Sequence, residues 1–399
     1  MEPAIVRTNA TSGPRKRRIV RTIAQPGVLH DRIVLSPRAL AAVAANFLFL
    51  GMVVGAFGPL LVLLTRRFGV SLPVAGVTIS VYFAGALLGV LASMRAARRV
   101  SGRALVMTAD AVAAVGCLAI AFAPAWPVFL AGVLVVGAGF GALVLGLNQL
   151  VAYSEGPRRA ALLSGLNAAY SGGAVAGPLL VALFAAQHFS ELYAGAAILA
   201  LLLVAGTSGI AGRLPFAGSR PGRPELTVVL FTLAFVLYVG VESGTGGWMA
   251  SHLMSAGADS RTAAALTSAF FLALMTGRLL MALVPPSVTE AQVVLAGAAC
   301  ATVALALAAS GAVAPVAYVM VGLAIAPIYP TGIVWLARLR PGDAHATAWL
   351  YPATAVGGIV GPGVIALVIG RAGVGWTPVV LAGVAAGMLA TFSYAAIRR

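Results

Sequence analysis

The chain runs to 399 residues, 61% of them hydrophobic and only 9% charged, with a net charge of +16. A globule of that make-up could not keep its surface wetted, so a water-soluble fold is excluded and lipid is the solvent for most of the chain. The positive charge is not gathered on a nucleic-acid face; its arginines lie in gaps between apolar runs, and nucleic acid is excluded as a partner.

Residues 1–38 hold Arg15-Lys16-Arg17-Arg18 and no apolar run, which predicts a disordered basic leader on the cytoplasmic side. Lys16 is the chain's only lysine. A phosphate-cradling P-loop needs a lysine after its second glycine, so an ATPase is excluded. No enzyme activity, cofactor or metal site is predicted. The first apolar stretch is too long for a signal-peptide core, so no cleavage is expected. Cys117 and Cys300 fall in separate apolar runs, and the four histidines read as leader or loop residues.

Twelve apolar runs follow, at 39–64, 74–97, 104–122, 128–152, 160–186, 191–211, 226–250, 262–284, 291–309, 313–336, 346–369 and 376–396. Each approaches the roughly 20 residues a helix needs to cross a bilayer. Helices are required because lipid offers no partner to an open backbone. Short gaps make consecutive spans antiparallel. With the leader in the cytoplasm, only Arg66, Arg67, Arg261 and Arg371 of the 26 Lys and Arg fall outside. This positive-inside bias predicts a multi-pass protein of the cytoplasmic membrane, with both termini cytoplasmic and anionic inner-leaflet lipid as partner.

Polar groups inside the spans are few. The first span carries Asn46, then Gly51, Gly55, Gly58 and Pro59 toward its outer end. The third carries Asp110, about two turns from the cytoplasmic face and near Arg95, Arg98, Arg99 and Arg103. Asp110 reads either as half of an inner ion pair or as a proton site. The fourth has Asn148 and Gln149; the fifth has Asn167, Tyr170 and Ser171 on one helical face. The seventh has Glu242, with Tyr238 one turn away, and Gly240, Gly244, Gly246, Gly247 and Trp248. An acid at a helix centre costs roughly 2.5–3.5 kcal/mol to insert, and such groups face cavities or partners. Glu242 reads as a proton-coupling residue, or as a packing residue held by a neighbouring helix. Glycine-rich breaks near the outer ends of the first and seventh spans predict an outer gate, or plain close packing.

Arg278 follows Gly277 deep in the eighth span; it either snorkels to the inner surface or serves as counter-charge for a carboxylate on the solute or on Asp110. Tyr329 and Thr331 lie in the proline-broken Ala326-Pro327-Ile328-Tyr329-Pro330-Thr331 of the tenth, and Trp349 and Tyr351 open the eleventh. Asparagines and tyrosines here act as glue between helices or as solute ligands; gathered on a few spans, they predict a shared cavity. Trp248 and Trp376 also suit an interfacial belt.

The two halves repeat. A serine, one residue, an aromatic, a phenylalanine and, six residues on, a glycine recur as Ser80-Val81-Tyr82-Phe83 with Gly89 in the second span and Ser268-Ala269-Phe270-Phe271 with Gly277 in the eighth. Gly177-Pro178 in the fifth matches Gly361-Pro362 in the eleventh, and Gly137, Gly139 and Gly141 match Gly322, Ala324 and Ala326. The offsets are nearly equal. They predict an all-α membrane protein built from two pseudo-symmetric six-helix bundles, 39–211 and 226–399, joined by a cytoplasmic linker at 212–225, with a solute site between the bundles.

On these residues the chain resembles the major facilitator superfamily, over about 40–396. Within it, Tyr238-Val239-Gly240-Val241-Glu242, Gly246-Gly247-Trp248, Gly277-Arg278, Ala326–Thr331 and Asn167 with Gly173, Gly177 and Pro178 resemble the branch of fucose- and glucose-type proton symporters. The resemblance implies alternating access between the two bundles, driven by protons or by the solute gradient; a proton-linked monomeric carrier of a small organic solute is expected. The chain departs from the superfamily in its loop after the second span, where Arg95, Arg98, Arg99 and Arg103 stand without the usual aspartate. The glycine pair that extends the fifth-span motif of drug antiporters is also absent after Pro178. An efflux carrier for a drug-like compound or secondary metabolite is the alternative.

Overall fold

The computed structural model describes residues 34–97, 99–152, 159–211, 225–285, 287–340 and 350–398. Among them, 12 helices are long and apolar enough to cross a membrane. They are α1 (Pro37–Phe68), α2 (Leu72–Ala96), α3 (Gly102–Ala121), α4 (Trp126–Ala152), α5 (Arg159–Leu180) and α6 (Phe189–Gly206) in the first half. The second half holds α7 (Leu226–Ser255), α8 (Ser260–Leu280), α9 (Glu290–Ala308), α10 (Ala314–Leu339), α11 (Leu350–Ala372) and α12 (Thr377–Ile397). A chain that crosses twelve times returns to the face it left, so Pro37 and Ile397 share one face, here the terminal face; the other is the far face.

Local chemistry sets the helix ends. Ser36 and Ser101 accept from the N–H groups of Ala39 and Ala104, both at 3.2 Å, and cap α1 and α3. Thr289 and Gln292 form a capping box on α9. At the far face α1, α7, α9 and α11 each run into a glycine with positive φ: Gly69, Gly257, Gly311 and Gly373. Proline acts twice inside spans. After Pro178, α5 widens into a π turn over Val181–Ala185. At Ala326-Pro327, α10 breaks into Ala314–Ile325 and Ile328–Leu339, as the sequence predicted. Pro59, by contrast, leaves α1 unbroken, and α7 is continuous through its glycines.

Packing repeats between the halves. In the first, α1 lies on α5, α2 on α4, and α3 on α4 and α6; in the second, α7 lies on α11, α8 on α10, and α9 on α10 and α12. The halves meet along α2 with α11, its repeat counterpart α5 with α8, and α1 with α7. Small residues allow this closeness in lipid, where apolar side chains gain little by meeting one another. A Cβ at Gly85 or Gly89 of α2 would strike the α4 backbone, and one at Gly137 or Gly141 of α4 would strike that of α2. Leu88, Val115, Phe122, Leu183, Leu202, Val316 and Leu367 are exposed on the outside of the bundle, where only an apolar medium accepts them.

Three expectations need correction. The leader does not extend through residue 38: Val34–Leu35 pairs antiparallel with Ile210–Ala211, and α1 begins at Pro37. Its residues 1–33, like 212–224 of the linker, lie outside the described residues. His252 is no loop residue. It sits inside α7, 6% exposed, with Nδ1 3.1 Å from the Tyr318 hydroxyl. Finally, the glycines of α1 and α7 mark close approaches, not breaks. A Cβ at Gly51 or Gly55 would meet the α5 backbone, and one at Gly58 the Gly246 carbonyl across the halves.

Candidate functional site

Glu242 projects from the middle of α7 and meets Arg278 near the end of α8, with Oε1 3.7 Å from Nη2. The pair is not sealed: the two side chains are 20% and 21% exposed. At this distance the contact is electrostatic without being a short charge-assisted hydrogen bond, so either group is free to change partner. Tyr238, one turn before Glu242, has its ring fully buried 6.0 Å from that of Tyr329 and 6.3 Å from that of Phe235. Its hydroxyl lies within electrostatic reach of Glu242 and Arg278 but has no partner at hydrogen-bond geometry. Tyr170 reaches the same two charges from α5, in the other half. Four spans thus bring one acid, one base and three tyrosines together at the seam between the halves. The arrangement sets a carboxylate beside hydroxyl and guanidinium donors, groups able to hydrogen-bond a polar solute.

The other predicted residues divide. Asn148 donates to the Val144 carbonyl of its own helix at 2.7 Å, and it and Gln149 are half-buried on α4. Asn167 is exposed, and its carbonyl accepts from Ser171 at 3.0 Å, which turns that hydroxyl back onto α5. Asn46 is buried, with its amide donating to Ala42 O at 3.1 Å, and lies beside Asp110. Trp349 lies outside the described residues; Tyr351 is in the first turn of α11, and its side chain is not described.

Trp248 is neither a belt residue nor placed with the Glu242 cluster. It is fully buried, donates from Nε1 to Pro362 O at 3.3 Å, and its ring occupies the space a Cβ on Gly76 would need. It plugs the far half of the seam. Asp110 also departs from the inner ion pair read from its neighbouring arginines. It is 0% exposed, both carboxylate oxygens lack a hydrogen-bond partner, and no described basic group lies within ion-pair distance. The helix places it on the buried side of α3, while Arg99 and Arg103 stay at the exposed end.

Two residues that carried the repeat motif turn out to bridge the halves. Ser80 Oγ donates to Ile359 O and Ser268 Oγ donates to Val175 O, each at 2.8 Å. A serine before an aromatic pair in each repeat was visible in sequence; its role in joining the halves was not.

No protein-family model matches the chain, and no curated protein sequence does. Solved structures do. A D-xylose–proton symporter superposes with a TM-score of 0.75 at 13% identity, over 89% of this chain and 96% of that one. A peptide transporter of the POT type, solved with alafosfalin, gives 0.72 at 14%, over 90% and 93%. The nucleoside transporter NupG gives 0.70 at 14%, over 90% and 99%. At such identities the likeness speaks for architecture, and with the internal repeat it is decisive there: the chain has the major facilitator fold, two pseudo-symmetric six-helix bundles.

Proposed function

We propose that the protein is a secondary active transporter that moves a small organic solute across the cytoplasmic membrane by alternating access, coupled to protons through Glu242. The observation that carries this reading is the Glu242–Arg278 pair: two opposite charges 3.7 Å apart, each one-fifth exposed, at the seam of two repeat-related bundles. A proton arriving on Glu242 releases Arg278 from its counter-charge, and the local field at the seam changes with it. The moving units are the bundles 39–211 and 226–399, with both termini in the cytoplasm as the arginine distribution favours. The three solved transporters carry a sugar, a peptide and a nucleoside by name, so they support transport without selecting a solute. The branch resemblance and the tyrosine cluster favour a hydroxylated, sugar-like solute.

Reconstituted protein under a pH gradient tests this. Accumulation of a labelled solute should need the gradient, and Glu242→Gln should abolish accumulation while sparing solute exchange. Accumulation that survives in Glu242→Gln refutes the coupling role. The direction of the pH change inside the vesicles separates uptake from efflux.

A further inference from the structure

A well-defined cavity among the described residues lies apart from the Glu242–Arg278 pair. It encloses about 320 Å³ inside the first half, toward the far face, walled by α1 to α6. That volume lies at the small end of the range for small-molecule sites, roughly 300–1,000 Å³. The walls are almost wholly apolar, Phe57 and Phe129 among them, and no Lys or Arg lines the space. Its one carboxylate, Glu191, has a side chain 71% exposed and sits 3.7 Å from His188 at the start of α6. A charged guest would be buried there without a counter-charge, which is costly, so the guest is neutral.

Two polar groups give it more definition. Thr78 and Tyr82 stand one turn apart on one face of α2, both 0% exposed, and both line the cavity. Neither hydroxyl has a hydrogen-bond partner. Thr78 shares this with Thr245 in α7 and differs from four other threonines of the spans. Thr232, Thr267, Thr302 and Thr391 all turn their hydroxyls back onto carbonyls of their own helices, at 2.7–2.8 Å. A buried donor left unpaired is destabilising by about 1–3 kcal/mol, and a guest with an acceptor relieves that. The wall includes Leu180 and Val181, where α5 leaves α-helical geometry for its π turn, a distortion found often at functional sites. On the other flank Gly195 is exposed, and a Cβ there would meet nothing within 4 Å, so α6 leaves room for entry.

We propose that this cavity is a second binding site, separate from the Glu242 cluster, for a neutral, largely apolar molecule that carries a hydrogen-bond acceptor and reaches it from the bilayer. Its acceptor engages the Thr78 and Tyr82 hydroxyls, and its apolar body fills the space among the phenylalanines. The site does not depend on the transport reading.

The test uses the full chain in nanodiscs, with radiolabelled 4-bromoacetophenone as probe and 4-bromoethylbenzene as its partner without an acceptor. The ketone should bind saturably beyond its uptake by protein-free nanodiscs. Gly195→Phe, which adds bulk where the structure has room, should abolish that binding while leaving the thermal midpoint within a few degrees. Thr78→Val and Tyr82→Phe should each weaken the ketone by about fivefold and leave the hydrocarbon unchanged. Non-saturable uptake equal to that of protein-free nanodiscs overturns the site. So does ketone binding that ignores Gly195→Phe, or equal weakening of both probes by the hydroxyl variants. A phospholipid acyl chain held in the cavity, seen by density or native mass spectrometry, overturns the proposed ligand class.

Discussion

Ser80 and Ser268 make the same hydrogen bond in opposite directions across the seam. Ser80 in α2 donates to Ile359 O in α11, and Ser268 in α8 donates to Val175 O in α5. Each acceptor stands two residues before a Gly-Pro pair, in a turn that proline loosens. The internal repeat thus places one latch on each side of the pseudo-twofold axis. The same stretch of seam holds Gly58 against Gly246, Ile79 against Gly247 and Pro73 near Gly370, so the closest approaches run from mid-membrane to the far face.

These latches should bias the conformational equilibrium. A hydrogen bond between membrane helices contributes about 0.6 kcal/mol on average, close to a threefold change in a two-state ratio. Ser80→Ala and Ser268→Ala should each shift the population toward far-side opening by about threefold, and the double variant by about tenfold. Spin-label distances between the Gly69 and Gly373 turns would report it. Unchanged distance distributions in the double variant would leave the serines as packing residues only.

Glu242 and Arg278 should be energetically coupled, but modestly. Their separation is 3.7 Å and both are one-fifth exposed, so screening discounts the attraction. A double-mutant cycle of Glu242→Gln and Arg278→Gln should give a coupling of about 0.5–1.5 kcal/mol in thermal or denaturant unfolding. A coupling near zero would mean that the two charges are held by other groups and that their proximity is incidental.

Trp248 and Gly76 should be non-additive. The indole is fully buried and lies where a Cβ on Gly76 would fall. Trp248→Ala should cost about 3–5 kcal/mol, as for large aromatic truncations elsewhere. Gly76→Ala should be destabilising alone and close to neutral in the Trp248→Ala background, because the clash is then gone. Additive losses in the unfolding data would show that Gly76 is constrained by its backbone rather than by the ring.

Asp259 supplies a pH-dependent prediction outside the bilayer. As N-cap of α8 its carboxylate accepts from the N–H groups of Arg261 and Thr262, at 2.8 and 3.0 Å, and from the Thr262 hydroxyl at 2.7 Å. Those bonds, first that from the Thr262 hydroxyl, hold its pKa below the ordinary aspartate range. A depressed folded pKa contributes stability above the unfolded value, near 4, and loses it as pH falls through the lower folded value. Asp259→Ala should therefore lower the thermal midpoint at neutral pH, and the gap to the wild type should narrow below pH 4. A gap that is independent of pH would assign the loss to helix propensity alone.

The membrane-spanning architecture was legible because its cause is local: apolar length, arginines in alternate gaps, and a repeated Gly-Pro and serine-aromatic pattern. Glu242 with Tyr238 was legible because an i, i+4 pair on a helix needs no tertiary knowledge. What lay hidden depends on helix rotation. Trp248 near a span end looks like a belt residue until α11 is seen to cover it. Asp110 looks paired because arginines crowd it in sequence, yet a helix sends neighbours to different faces. The Thr78–Tyr82 cavity had no signature, since a void is made by six helices together and by no motif in any one.

Asp110 is the sharpest case. Its two carboxylate oxygens are buried without hydrogen-bond partners, and Asn46, the polar side chain beside it, leaves its own oxygen unpaired too. Packing alone would not keep such a residue, because an unpaired buried polar group destabilises by about 1–3 kcal/mol. Asp110→Ala should then raise the unfolding free energy by an amount in that range, less the small loss of packing. The same variant should impair gradient-driven accumulation if Asp110 shares proton traffic with Glu242. A stability gain with transport intact would make the residue a tolerated defect. A stability loss would mean that the carboxyl has a fixed partner, and the unpaired carboxyl on which this prediction rests would be wrong.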